Sequence, residues 1–113
     1  MVKITEKHIE QFRRDGFIVF EKLVEQRDVD LLLERFEKMF AGEFETGLDP
    51  DEVNWKKGRD SEDLTRQICN GWKADRFVAG IVLRAAIGEA CATLGGWPGA
   101  RITQDNLLWK PPA

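Results

Sequence analysis

The clearest hydrophobic pattern in the chain lies between residues 29 and 40, where apolar side chains recur at steps of three and four. Charged residues take the intervening positions, so the pattern predicts an amphipathic helix, ended by Gly42. Burying one apolar stripe does not offset the entropy of ordering the helix, so we expect it to pack on a sheet. The stripe consists of Val29, Leu32, Leu33, Phe36, Met39 and Phe40.

Capping residues indicate two more helical segments. Thr5 and Gly16 bracket a short helix over residues 6 to 15. Asp75 is placed to cap a third segment that runs from about residue 76 into the 90s. Glycines weaken this segment and predict a break near Leu83 and Arg84.

Two β-rich runs complete the predicted elements. Residues 17 to 20, "FIVF", favour a short strand, and residues 101 to 110, "RITQDNLLWK", alternate as a strand does. In the second run Asn106, Leu108 and Lys110 share one side, and Leu107 and Trp109 share the other. Residues 43 to 74 show no sustained period over their first half, which predicts a long irregular connection, and connections of this length often have a function.

Composition and charge narrow the class of protein. The chain has 113 residues, 33% of them charged, and a net charge of −3, so residues 1–113 form one domain or part of one, and nucleic acid is not an expected partner. Charges near the N-terminus and the lack of an apolar run of about 20 residues predict a cytoplasmic protein with no membrane partner. The sparse Cys69 and Cys91 are expected to be free thiols, with Cys91 a small core residue.

Three stretches, "FRRDGFIVFEKLV", "TRQICNGWKAD" and "ITQDNLLWKPP", occur in an order that resembles the phytanoyl-CoA dioxygenase family of non-haem Fe(II), 2-oxoglutarate-dependent oxygenases. The resemblance covers essentially the whole chain and corresponds to the N-terminal portion of the family only. It implies an α+β fold, in which N-terminal helices accompany the first strands of a double-stranded β-helix, or jelly-roll. The barrel is expected to be incomplete in this chain.

The resemblance also implies two cofactors for the complete enzyme, Fe(II) and 2-oxoglutarate. The family holds iron with a His-x-Asp pair and a distant histidine, whereas this sequence has one histidine, His8, on the first predicted helix. Neither cofactor is therefore expected to bind well to this chain alone, which should be inactive. The hypotheses left open are a truncated product and one half of a split enzyme.

The resemblance assigns candidate site residues. Lys110, the lysine of the family's K-P-P motif, would contact 2-oxoglutarate, since a cationic donor pairs with a carboxylate. Asn106 shares its side of the strand about 13 Å away and could line the same pocket. Arg66, Asn70 and Trp72 are candidates for binding a small-molecule substrate, or alternatively for tying the connection to the barrel. Trp109 is expected in the core and His8 on the surface.

A second hypothesis is a non-catalytic helical binding or oligomerisation module derived from the same fold. The apolar face of the helix over residues 29 to 40 favours it, while unpaired strand edges count against it. The expected partners are a C-terminal half in the first hypothesis, or other copies of the chain through exposed strand edges.

Overall fold

The structure is a computed structural model that describes residues 3–112 and joins helices to a small antiparallel sheet. The α+β class is confirmed. Within these residues, four α-helices and three strands follow one another, with a 3-10 turn at Gly71–Lys73 after the second strand. Their bounds are α1 Glu6–Asp15, α2 Gln26–Phe40, β1 Glu52–Val53, β2 Arg66–Cys69, α3 Arg76–Val82, α4 Ala85–Gly95 and β3 Asn106–Trp109.

Helix α1 begins and ends as its capping residues predict. The Thr5 hydroxyl accepts a hydrogen bond from the backbone N–H of His8, and Gly16 ends the helix in the left-handed region at φ 81°. The His8 side chain completes the cap, because its Nδ1 accepts from the Thr5 N–H at 3.0 Å. Its ring also meets Phe20 edge to face, at 5.0 Å between centroids.

Helix α2 forms as predicted but buries only part of its apolar stripe. Met39 and Phe40 at its C-terminal end are buried, whereas Leu33 is 57% exposed. The prediction for Leu33 was wrong because the helix contacts the rest of the chain along a narrower stripe than the periodicity suggests. Near the N-terminal end of the helix, the buried side chain of Asp28 forms an ion pair with Arg84, in which a carboxylate oxygen lies 3.4 Å from Nη2.

The third predicted helical segment divides where expected, into α3 and α4 on either side of Leu83 and Arg84. Asp75 caps α3 by accepting from the backbone N–H groups of Phe77 and Val78. The prediction that Cys91 is a core residue was wrong, since this thiol is exposed on α4. It lies outside the stripe that α4 buries.

The three strands form an open antiparallel sheet in the order β1-β2-β3. The central strand β2 was not predicted, because four residues are too few to show a period. The predicted strand over residues 17 to 20 was wrong: these residues pair with no strand, and Phe17 and Val19 are 62% and 74% exposed. The predicted strand over residues 101 to 110 is shorter, limited to the four residues that pair with β2.

The core lies between the sheet and helices α2 and α3, and it is small. Its largest fully buried apolar side chains are Met39, Ile68 and Val78. The chain exposes 8231 Å², against about 6,300 Å² for a folded monomer of its mass. Its radius of gyration is 16.2 Å, against about 13 Å for a compact domain of this length. The exposed large apolar side chains, among them Trp97 and Leu108, are available for further contacts.

The stretch Arg76–Gly95 is long and apolar enough to cross a membrane by length and composition alone, with a mean hydropathy of 1.7. It comprises α3 and α4, which have 7 and 11 residues. Neither helix reaches the length of about 20 residues that spans a bilayer. This stretch is weak evidence for a membrane segment.

Candidate functional site

The two faces of the sheet differ in what covers them. Residues paired directly across antiparallel strands point to the same face, and the register joins Ile68 to Leu107 and Gln67 to Leu108. Ile68 and Leu107 are buried against the helices, whereas Leu108 is 62% exposed. We call the face that carries Ile68 and Leu107 the covered face. We call the second, which carries Gln67, Cys69, Asn106 and Leu108, the open face.

The two predicted cofactor residues belong with the open face. Asn106 is exposed, and its Oδ1 accepts from Gln67 Nε2 at 3.2 Å across the strand pair. Lys110 follows β3 by one residue, at the next position of the alternation after Asn106 and Leu108. It is exposed and makes no salt bridge within residues 3–112. The open face thus offers amide groups and an unpaired ammonium group.

Asn70 ties the turn after β2 to the start of β3. Its backbone is left-handed at φ 57°, a region that asparagine tolerates better than most residues. Its side chain donates to Asp51 at 2.6 Å and accepts from the N–H of Asp105 at 3.1 Å. Lys73 adds an ion pair to Asp51 at 2.6 Å. Both polar ends of the Asn70 side chain are therefore used within the chain.

Trp72 lies in the same turn, where its backbone N–H donates to an Asp105 carboxylate oxygen at 3.4 Å. Its half-buried ring has the Lys73 ammonium 6.0 Å from its centre. The structure thus brings Trp72 and Asn70 together around Asp105, and within residues 3–112 no side-chain hydrogen bond joins either of them to Lys110 or Asn106.

Arg66 lies on the covered face, opposite the face of Asn106. Its guanidinium carbon is 3.8 Å from the ring centre of Trp55 and 4.3 Å from that of Trp109. Its Nη2 donates to the Glu62 carboxylate, with 2.6 Å between Nη2 and Oε2. Its Nε is buried without a hydrogen-bond partner among the described residues. We call Arg66, Trp55 and Trp109 the tryptophan–arginine stack. Trp109 packs against the core, as predicted.

The acidic groups around the Asn70 turn differ in their proton affinities. Hydrogen bonds from Lys73 and Asn70 lower the pKa of Asp51. Burial raises the pKa of Asp105, against the opposing effect of backbone N–H donors. Burial also raises the pKa of the Cys69 thiol, and the negative charges of the nearby carboxylates raise it further. Cys69 is therefore protonated at neutral pH and is a poor nucleophile.

No group of three histidine, cysteine, aspartate or glutamate side chains lies close enough to hold a metal ion in the part of the chain that the structure describes. His8, the single imidazole of the sequence, is engaged in the cap of α1. The residues of this chain do not fit the iron site that the resemblance implies.

Trp55 and the strand that holds Arg66 were not predicted from the sequence. The pattern "VNW" at residues 53 to 55 alternates and could have suggested that Val53 and Trp55 share a side. Trp55 is buried, and its Nε1 donates to the carbonyl of Ser61 at 2.8 Å. Its contact with Arg66 depends on the pairing of β1 with β2.

Comparisons with protein families, with curated proteins and with solved structures find no match to this chain.

Proposed function

We propose that the chain is the N-terminal part of an Fe(II)/2-oxoglutarate-dependent dioxygenase that hydroxylates a small organic substrate. The observation that carries the proposal is the two-faced sheet: helices pack on one face, and the other is uncovered and bears Asn106, with Lys110 beyond it. In a jelly-roll with helices on its outside, one face of each sheet packs against helices and the other faces the interior of the barrel. The interior of the barrel would be the open face.

The large exposed surface supports the same proposal. Strands β1 and β3 each pair on one side only within residues 3–112, and natural proteins usually cover such edges. Leu108 on the open face is exposed as well. Further strands would cover both the edges and this side chain.

Lys110 is suited to hold a carboxylate group of 2-oxoglutarate. Its ammonium group has no described anionic partner, so it can form a charge-assisted hydrogen bond with the cosubstrate. Asn106 would line the wall beside it. In a complete enzyme, 2-oxoglutarate would serve as the reducing cosubstrate. The iron ligands would have to come from residues outside these 113.

The test uses the 113-residue chain and a longer protein that supplies a His-x-Asp pair and a second histidine. The short chain with Fe(II), ascorbate and 2-oxoglutarate should release no succinate above a protein-free control. In the longer protein, Lys110→Ala should weaken 2-oxoglutarate binding at least tenfold while the melting temperature changes little. Succinate turnover by the short chain, or equal loss of binding and stability in the variant, would contradict the proposal.

A second candidate function is a helical binding or oligomerisation module, which the outward leucines of α2 favour. Leu31 and Leu33 are both exposed on this helix. A module of this kind should assemble through α2, so that Leu33→Lys reduces its mass in light scattering. Assembly through the strand edges would instead be insensitive to that substitution.

A further inference from the structure

A cavity of about 370 Å³ is lined by the C-terminal end of α2, by Val53 of β1 and by the segments that flank β1. This volume falls within the range of about 300 to 1,000 Å³ that small-molecule sites occupy. Its walls are mainly apolar and aromatic, and four of its lining residues are buried. The apolar lining residues are Met39, Phe40, Ala41, Phe44, Pro50, Val53 and Trp55.

The charged residues of the cavity are mostly cationic. Lys56, Lys57 and Arg59 line it together with one acid, Asp49. Arg59 is already paired with Asp60 at 2.6 Å, whereas neither lysine forms a salt bridge within residues 3–112. The cavity therefore combines an apolar interior with two ammonium groups that are free to bind an anion.

The wall formed by Trp55 is fixed in place. The Arg66 guanidinium lies against its ring, and its indole N–H donates to the Ser61 carbonyl. A preformed wall lowers the entropy that a ligand must offset on binding. The C-terminal end of α2 carries partial negative charge, so an anionic group would be placed at the lysines and an apolar tail toward Met39 and Phe40.

We propose that this cavity, which we call the β1 cavity, binds a small amphipathic carboxylate with an apolar tail. Phe40, Phe44 and Val53, the apolar lining residues with accessible surface beside the buried Met39, would contact the tail, and Lys56 and Lys57 would pair with the carboxylate. The site is separate from the open face, because Val53 pairs with Ile68 and so shares the covered face. It does not depend on the proposed oxygenase function.

The experiment titrates the 113-residue chain with hexanoate, octanoate and decanoate, by calorimetry and by tryptophan fluorescence. Each added methylene should tighten binding about fourfold until the cavity is filled, as expected for transfer of a CH₂ group from water. Octylammonium, which has a similar tail and the opposite charge, should bind at least tenfold more weakly than octanoate.

Two double variants locate the anion. Lys56→Gln with Lys57→Gln should weaken octanoate binding about fivefold, the sum of two exposed ion pairs. The matched control, Lys7→Gln with Lys22→Gln, removes the same charge from residues that do not line the cavity and should leave the affinity unchanged. All four lysines are exposed, so we expect every variant to fold, and melting curves check this.

Three results would each overturn the proposal. The first is a failure of octanoate to saturate the protein at millimolar concentration. The second is equal affinity for octanoate and octylammonium, and the third is an equal effect of the two double variants. Lys110→Ala should not alter octanoate binding, so the outcome is independent of the test of the open face.

Discussion

Arg66 shows how a single residue can join three aromatic side chains and the sheet. The guanidinium carbon lies over the rings of Trp55 and Trp109, and the Phe40 ring centre is 5.8 Å away. Lysine cannot replace this group, because an ammonium has no plane to stack. We expect Arg66 to stabilise the covered face rather than to bind a substrate carboxylate.

Arg66→Lys should therefore lower the free energy of unfolding by about 1 to 2 kcal/mol, although the charge is kept. Urea denaturation followed by tryptophan fluorescence measures the change. Arg14→Lys, at an exposed position on α1, is the matched control and should be within about 0.5 kcal/mol of the parent. Equal stability of the two variants would show that stacking contributes nothing.

Asp75 uses its two carboxylate oxygens for different elements. One oxygen caps α3, and the other accepts from Arg35 of α2 at 2.7 Å, while the side chain is fully buried. Asp75→Ala should cost about 3 to 5 kcal/mol of stability, because it leaves the Arg35 charge partly buried without a partner. Asp75→Asn should cost less, since its amide oxygen can still cap α3. Equal losses in denaturation would mean that the cap does not contribute.

The raised pKa of Asp105 makes the free energy of unfolding depend on pH. Burial raises the pKa of Asp105 in the folded chain, so the ionised carboxylate destabilises the fold at all pH values above that pKa. As the pH falls through this pKa, the folded chain takes up a proton at a higher pH than the unfolded chain does. The destabilisation therefore disappears.

Asp105→Asn should raise the melting temperature by a few degrees at pH 7, and the difference should vanish near pH 4, around the ordinary pKa of aspartate. The amide oxygen of asparagine can still accept from Trp72. Thermal unfolding of both proteins across this pH range is the measurement. A difference that does not change with pH would argue against titration of Asp105.

At the scale of elements, the helix ends are specified locally. Gly16 ends α1 at φ 81°, while Gly80 lies within α3 with open space around the position of a side chain. Alanine is strained in the first conformation and favoured in the second.

Gly16→Ala should lower, and Gly80→Ala should raise, the free energy of unfolding, each by about 0.5 to 1 kcal/mol. The two substitutions add the same methyl group, so each serves as the control for the other in urea denaturation. Changes of the same sign would contradict the assigned backbone conformations.

At the scale of the whole molecule, the surface exceeds what a compact monomer of this mass exposes. The exposed large apolar side chains include Val53 on the edge strand β1 and Leu108 on the open face. A chain of this shape should associate with other copies when no further strands cover the sheet.

Leu108→Lys should therefore lower the mass-averaged molecular weight at high protein concentration, because it places a charge on the open face. Leu33→Lys, an equivalent substitution on α2, should have little effect if the sheet mediates association. Light scattering over a concentration series compares them. The reverse order of effects would favour the helical module over the oxygenase fragment.

Local signals in the sequence determined the helix ends, the break at Leu83 and Arg84, and the alternation of β3, because caps, glycines and side-chain periodicity act over a few residues. The neighbours of each strand are set by long-range pairing instead. Only the tertiary structure therefore revealed β2, excluded a strand at residues 17 to 20, and separated Arg66 from the face of Asn106. The same pairing placed Trp55 against Arg66, eleven residues later in the chain. The pattern of residues around Trp55 does not predict that contact.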